Sequence, residues 1–461
     1  MDRHILAVAL VVLNSPLFVR PAFGQSIACG QATSLVTCSD HAAMSWGFNA
    51  YGQLGNGTTN TTNVPGPISA LTDVVGVSGG SGHGLAVKGD GTVWAWGQNG
   101  YGELGNGGGP NSNVPVQVSG LIDAVVVGGG EGFSIALKSN GTVCGWGLDL
   151  AGQLGDGTGT NSATPVVASG LTNVVTIRAG RRHVMALKND GTVWTWGSGS
   201  SGQLGIGTNA NSLVPVQVPS LTGITAIAAG GLQSYALKSD GTVWSWGNNG
   251  LGQLGNGSTV NSSIPVQVSA LTNVVLIAAG WDHALALKND GTLWAWGSNS
   301  FGQLGNGSLA PSSVPVAVSA PAGITALAGG GMAHSLALLD DGTLLAWGKN
   351  GEGELGNGNF VDSHVPVEVI GACAIATGMA RIGEATSVDV FPNPSAGVFN
   401  VQGLATGTRQ LEIRNMMGQE VLHKTLTGVR SEIDLSSQPA GIYFLTIHTT
   451  DKVITRRVVK E

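Results

Sequence analysis

Charge is scarce in this chain: Asp, Glu, Lys and Arg make up 10% of its 461 residues, against about 25% in an ordinary soluble domain. A disordered polyelectrolyte is therefore excluded. Basic residues are scarcest where most of the chain lies, with ten Lys/Arg against nineteen Asp/Glu between Gln25 and Thr386. Phosphate backbones need clustered cations, so no nucleic-acid partner is expected. Long apolar runs are missing too. The longest, Ile5 to Leu13, is nine residues, far short of the roughly 20 that span a bilayer as a helix, so no transmembrane segment is expected. Cysteines number four, at Cys29, Cys38, Cys144 and Cys373, with none of the C-x-x-C spacing of a zinc or redox site.

What the chain has in abundance is glycine, 75 residues, together with 42% hydrophobic residues and twelve tryptophans. No Gly-X-Y period accompanies them, so collagen is excluded and a turn-rich β protein remains. At the N-terminus, Arg3 and His4 precede the short apolar run, and Ala22-Phe23-Gly24 has the small-x-small form of a cleavage site. Residues 1–24 therefore read as a secretory signal peptide cut before Gln25. In an exported chain cysteines oxidise.

The dominant signal is a period. Trp-Gly recurs at Trp46, Trp96, Trp146, Trp196, Trp246, Trp296 and Trp347, spaced 50 residues five times and then 51. Self-similarity of this length indicates a propeller or solenoid. Within a copy the apolar residues alternate with period two: Val274 to Ala279 (strand b), His283 to Leu287 (c), Thr292 to Gly297 (d) and Val314 to Val318 (a), in the chain order b, c, d, a. Asn289-Asp290-Gly291 between c and d is a hairpin turn. Prolines such as Pro315 fall at the first or second residue of strand a, where a missing donor costs least. Four antiparallel strands repeated seven times make an all-β, seven-bladed β-propeller over residues 25–378. The first copy opens at strand b (Ile27 to Gly30) and the last ends on an orphan strand a (Val365 to Val369), so that last strand is expected to complete the first blade. A bridge from Cys29 to Cys38 or to Cys373 would staple this closure, and Cys144, in the slot of Trp94, Trp194, Trp244 and Trp294, is expected to be free.

Gly180-Arg181-Arg182-His183, Lys188-Asn189-Asp190-Gly191, Trp194-Thr195-Trp196-Gly197 and Gly202-Gln203-Leu204-Gly205 resemble the repeats of the regulator-of-chromosome-condensation (RCC1) family. The resemblance covers about residues 27 to 378. It implies a seven-bladed propeller used as a binding platform, in a family that includes a nucleotide-exchange factor, a plant UV-B photoreceptor and a secreted β-lactamase inhibitor. The photoreceptor pattern of repeated Gly-Trp-Arg-His is not matched, since Trp281 alone sits in that slot and Asp282 follows it.

The period stops after Gly378. Residues 379–387 read as a linker, and 388–461 as alternating strands punctuated by turns, a small β-sandwich. This segment resembles the type A C-terminal sorting domain of type IX secretion substrates. The resemblance rests on Pro392-Asn393-Pro394 with Gly397, Met417-Gly418-Gln419-Glu420-Val421, Ala440-Gly441-Ile442-Tyr443, and the terminal Arg457 and Lys460. It implies recognition by an outer-membrane translocon, removal by a sorting peptidase, and release from or attachment to the surface of a Gram-negative cell.

The residues give little sign of chemistry. His83, His183, His283 and His334 occupy one slot of four different copies, so they lie around a ring rather than about one ion, and a metal site is not expected. A structural role, an imidazole tying the b–c turn to backbone, is. Asp90, Asp190, Asp240, Asp290 and Asp341 precede Gly in the c–d turn and are turn residues. No G-x-S-x-G, HExxH, P-loop or EF-hand spacing occurs, so neither a catalytic residue nor a cofactor is assigned. Loop variation is more telling. The c–d turns are nearly uniform, whereas the b–c turns carry Glu131, Arg181, Arg182, Trp281, Asp282 and Met332, and one slot of the d–a loops carries Tyr51, Tyr101, Leu251, Phe301 and Glu352. If strands alternate in direction these loops share a face, and varied aromatic and charged residues on a rigid rim suit partner recognition. The expected function is a monomeric, non-catalytic platform for an extracellular protein or glycan. The alternatives are a secreted enzyme inhibitor of the β-lactamase-inhibitor type, or an enzyme with its site at the channel mouth.

Overall fold

A computed structural model describes residues 26–373, 389–391, 397–402, 409–415, 419–426, 430–439, 441–448 and 453–460. The signal peptide, the linker, Pro392-Asn393-Pro394 and Gly418 fall outside the described residues. The chain forms two compact units, Met1–Ala374 and Ile375–Glu461.

The first unit holds seven four-stranded antiparallel sheets, each drawn from one continuous stretch of chain. The sixth is typical, with b at Val274–Ala279, c at His283–Lys288, d at Leu293–Gly297 and a at Ser312–Ala317. Its c–d turn is made by Gly291 at φ 82° and by the Asp290 carboxylate, which accepts the Thr292 N–H at 3.0 Å. Strand b is innermost, and the seven b strands touch one another around an axis. They come so close that a Cβ on Gly329 would lie 2.4 Å from the Gly280 nitrogen and one on Gly129 2.6 Å from that of Gly80. Strand c is buried along nearly its whole length, whereas strand a is the outer, half-exposed edge. This gradient explains why c is almost wholly apolar while a tolerates polar residues and proline.

Two expectations are corrected. The outer strand begins earlier than the pattern suggested, so Pro315 is its fourth residue. There the register shifts between Ala295 and Gly297, with Ala295 opposite Val316 and Gly297 opposite Ser312. The proline sits inside this irregularity, where no ladder hydrogen bond is lost. The ring, moreover, is not closed by an exchanged strand. Ser363–Glu368 pairs with Leu344–Gly348 in its own seventh blade, and the first blade supplies its own outer strand, Thr62–Pro67. A copy running b, c, d, a is already a complete sheet from inner to outer edge, so no strand is left over.

Closure is by packing and by one covalent bond. Each buried Trp of strand d donates its indole N–H to a backbone carbonyl of the preceding blade: Trp96 to Gln53, Trp146 to Glu103, Trp196 to Gln153, Trp246 to Gln203, Trp296 to Gln253 and Trp347 to Gln303, all at 2.8–2.9 Å. Trp46 of blade one donates to Glu354 of blade seven at 2.8 Å, so the relay joins the chain's two ends. Every one of these seven indoles is fully buried. The bond Cys38–Cys373 then ties the first c–d turn to the segment after the last strand. The pairing expected for Cys29 is not found. Cys29 lies at the far end of the first hairpin, beside Ser34, and is a free thiol, as is Cys144.

In the second unit a four-stranded sheet (Glu420–Leu426, Arg409–Asn415, Gly441–His448, Val453–Lys460) accompanies a three-stranded one (Asp389–Phe391, Val398–Gln402, Arg430–Asp434). Phe399, Val401 and Ile433 from one sheet share a core with Leu411, Ile413, Tyr443, Leu445, Ile447 and Val458 from the other. Two residues named from the sorting pattern meet here. Gly397, at φ 129°, leaves no room for a Cβ, which would fall 2.8 Å from Ser436 Cα, and Lys460 Nζ donates to the Ser436 carbonyl at 2.9 Å and to that of Gln438. Gly441 opens the long strand Gly441–His448, and Arg457 lies in the terminal one, opposite Phe444.

Candidate functional site

The b–c turns and d–a loops share one end of the propeller, and the a–b and c–d turns share the other. Backbone bonds show this directly: Gln98 N–H donates to Gly82 O at 2.8 Å at the first end, and Ser139 N–H to Asp123 O at 2.8 Å at the second. At the first end, turn residues of successive blades bond around the axis. The series runs through Gln31 to Gly80, Ser81 to Gly130, Glu131 to Arg181 and Gly231 to Trp281, and closes from Gly331 back to Gly30 at 2.9 Å. The small residues at these turns keep the axial channel narrow. Its lining is Gly and Ala with Cys29, Gln31, Ser81, Arg181 and Trp281, and no carboxylate or imidazole is among it.

Across this mouth four of the singled-out residues form one chain of contacts from three blades. Glu131 receives Arg181 through both carboxylate oxygens, at 3.0 and 3.1 Å, and Arg182 at 2.6 Å. Burial works against its ionisation, but the hydrogen bonds and charges of the two guanidiniums outweigh it and hold the carboxyl below its usual range. The Arg181 guanidinium in turn stacks 4.8 Å from the ring centre of Trp281. The indole reaches on to blade seven, so close that a Cβ on Gly331 would lie 2.7 Å from it. Asp282 is exposed and accepts from Gln253 Nε2 at 3.2 Å.

The d–a residues form the outer part of the same face. Tyr51, Tyr101, Leu251 and Phe301 are 45%, 47%, 46% and 40% exposed, so each presents apolar surface without being buried by its own blade. Tyr101 leans toward the next blade's turn, within 3.0 Å of where a Gly132 Cβ would stand. Glu352 is half-buried and its N–H is taken by Glu354. Met332 belongs to a small cluster that sequence reading missed. Lys349 Nζ lies 3.7 Å from both Met332 Sδ and Glu354 Oε1, and 6.0 Å from the Phe301 ring centre. The signal was present as a joint change, since Lys349 and Glu354 replace the pairs Ser198/Gln203, Asn248/Gln253 and Ser298/Gln303 of blades four to six. Leu150, 77% exposed on this face, was marked too, as the one large apolar residue in a slot that elsewhere holds Ala50, Gly100, Ser200, Gly250, Ser300 and Gly351.

The four repeat histidines are fully buried, and three of them, His83, His183 and His283, tie blade to blade, whereas His334 makes no hydrogen bond among the described residues. His83 Nε2 meets Ser134 Oγ at 2.9 Å, His183 meets Ser234 at 2.9 Å and His283 meets Ser335 at 2.8 Å. Each serine spends its only proton on a backbone carbonyl, as Ser134 does on Glu103 at 2.9 Å. Each imidazole must therefore donate from Nε2, which fixes the tautomer. The expected contact from imidazole to backbone is thus corrected to one relayed through the neighbouring blade's serine. Burial lowers the basicity of His83, His183 and His283 to about 4 and of His334 to about 3. Among the described residues no three His, Cys, Asp or Glu side chains converge to hold a metal ion.

Seven four-stranded sheets around a narrow axial channel define a seven-bladed β-propeller. The RCC1-like domain family matches residues 124–388, and RCC1 repeats match 40–87, 90–137 and 74–103. The chain belongs to the RCC1-like domain family. Residues 389–461 match the secretion system C-terminal sorting domain, which marks the chain for type IX secretion and for contact with that machinery. Among the described residues, no helix is long and apolar enough to cross a membrane. No curated protein matches the chain. Among solved structures it is similar to Prp20p of Saccharomyces cerevisiae (24% identity, 75% of this chain and 87% of that one, TM-score 0.65), reported with its binding properties to Gsp1p and histones. It is also similar to human WBSCR16 (25%, 71% and 94%, TM-score 0.64) and to yeast RCC1 bound to Kap60 (22%, 81% and 92%, TM-score 0.66).

Proposed function

We propose that this chain is an exported, non-catalytic propeller, released or held at the outer cell surface, that captures an extracellular protein or glycan on the b–c/d–a face. The observation that carries this reading is the Glu131–Arg181–Trp281 chain across the channel mouth, ringed by the half-exposed Tyr51, Tyr101, Leu251 and Phe301. Aromatic and Arg side chains held rigidly at the centre of a face are the residue types that dominate binding energetics. The histones and Gsp1p bound by Prp20p are partners of that protein; this chain shares its platform and takes its partner from outside the cell. The one carboxylate of the singled-out chain at the channel mouth, Glu131, is held by both Arg181 and Arg182, as a rigid binding surface requires.

The test is capture on immobilised propeller from native surface extract and culture medium, comparing wild type with Trp281→Ala and Arg181→Ala. Both variants are expected to lose the captured partner at least ten-fold while unfolding within about 2 °C of wild type, because part-exposed ion pairs add at most about 1 kcal/mol. Capture unchanged by both would overturn the reading.

A further inference from the structure

At the opposite end of the propeller four blades carry a tryptophan in the first aromatic slot of strand d, while blades one, three and seven carry Met44, Cys144 and Leu345 there. In blades two, four and five, the first Trp of strand d lies beneath a lysine of strand c: Lys88 is 5.9 Å from the Trp94 ring centre, Lys188 5.1 Å from that of Trp194 and Lys238 5.8 Å from that of Trp244. The indole N–H is received by the turn threonine, at 3.2 Å for Trp94 and Thr92, 3.3 Å for Trp194 and Thr192, and 3.1 Å for Trp294 and Thr292. Lysine above, threonine hydroxyl at the edge and apolar strand below form an indole cradle that the chain fills with its own tryptophan.

Blade three keeps the cradle and omits the tryptophan. Cys144 stands in the slot, paired with Ala136 as Trp194 is paired with Ala186. Over this slot lies an open cleft of about 370 Å³ lined by Cys144, Lys138, Thr142, Leu121 and Val167. That is within the range of small-ligand pockets. Lys138 is also less committed than Lys238 and Lys288. Lys238 and Lys288 pair with Asp240 and Asp290 at 3.7 and 3.1 Å, but Asn140 occupies that turn position in blade three.

We infer that the cleft between blades two and three is a binding site for a planar aromatic ring of indole type. The ring would lie on Cys144 and Val167 beneath the Lys138 ammonium, with its N–H directed to Thr142 Oγ1. The recognition chemistry is read from blades two and four, which hold an indole by the same lysine and threonine. The site lies among a–b and c–d turns, so it is separate from the face proposed above and stands whether or not that reading holds.

The probe is a fluoroindole, followed by fluorine NMR linewidth and shift on titration with the oxidised propeller. A ligand of this size in a preformed cleft is expected to bind in the low-millimolar range. Cys144→Trp, which restores the repeat, should abolish binding, and Lys138→Ala should weaken it about three-fold through loss of the cation–π contact. Cys144→Leu, carrying the residue that Leu345 places in the same slot of blade seven, provides a second filled variant should the tryptophan disturb folding. No broadening with wild-type protein, or equal broadening with both filled variants, would overturn the inference.

Discussion

The Cys38–Cys373 bond should carry an unusual share of this ring's stability. The blade-seven to blade-one interface is the only one of seven without chain continuity across it, and no exchanged strand bridges it. The bond joins residues 335 apart in sequence. Loop-closure entropy for that length sets a ceiling of about 6 kcal/mol, and measured disulfides commonly deliver less, so about 3–5 kcal/mol is expected. A ring of about 350 residues unfolding as a unit has an entropy of unfolding near 0.7 kcal/mol per kelvin, so the midpoint should fall by about 4–7 °C. The perturbation is the double variant Cys38→Ser/Cys373→Ser, which leaves Cys29 without a displaced partner, compared with wild type by calorimetry under non-reducing conditions. Hydrogen exchange adds a local readout. Amides of Thr33–Thr37 and Ala43–Gly47 in blade one should lose protection while those of Val193–Gly197 in blade four keep theirs, because only the first interface has lost its covalent tie. A midpoint within 1 °C of wild type, with blade one still protected, would show that the Trp46 to Glu354 relay and its surrounding packing suffice, and would refute the reasoning.

Three further outcomes are expected. The buried imidazoles have basicities well below the value of about 6.5 they hold when unfolded, so the unfolded chain takes up protons first as pH falls. Stability is therefore full above about 6.5 and is lost toward about 4, by about 2 kcal/mol per imidazole at pH 5. His183→Gln, which places in blade four the residue blade five carries at Gln233, should reduce the pH dependence of chemical denaturation between pH 7 and 5 by about one proton; an unchanged slope would contradict the burial argument. Gly205→Ala should destabilise by about 3 kcal/mol or more, because the residue sits at φ 71° and its Cβ would fall 2.6 Å from Trp246 Nε1; a denaturation midpoint equal to wild type would be inconsistent with that contact. Arg182→Ala should change the unfolding free energy by less than about 1 kcal/mol, since its contact to Glu131 is half exposed and Arg181 holds the same carboxylate by two bonds.

How much of this was legible beforehand differs from residue to residue. Seven tryptophans at a fixed period and alternating runs between Gly-rich turns determined the strands, their number per blade and the blade count, because period-two burial and turn chemistry are properties of neighbouring residues. The face on which Arg181, Trp281, Tyr101 and Phe301 lie followed from strand alternation alone. Other features depended on distances between residues far apart in the chain, on which local pattern is silent. Cys38 reaches Cys373, and Cys29 does not, because the first hairpin points Cys29 toward the opposite end of the blade. His83, His183 and His283 bond a neighbouring blade's serine about 51 residues on rather than their own turn. Arg181 and Trp281 belong to blades four and six, and only the convergence of inner strands on one axis makes them stack. Cys144 read from sequence is a substitution in a repeat, whereas in the folded ring it borders an open cleft, since a missing side chain becomes a cavity only when the surrounding blades do not close over it.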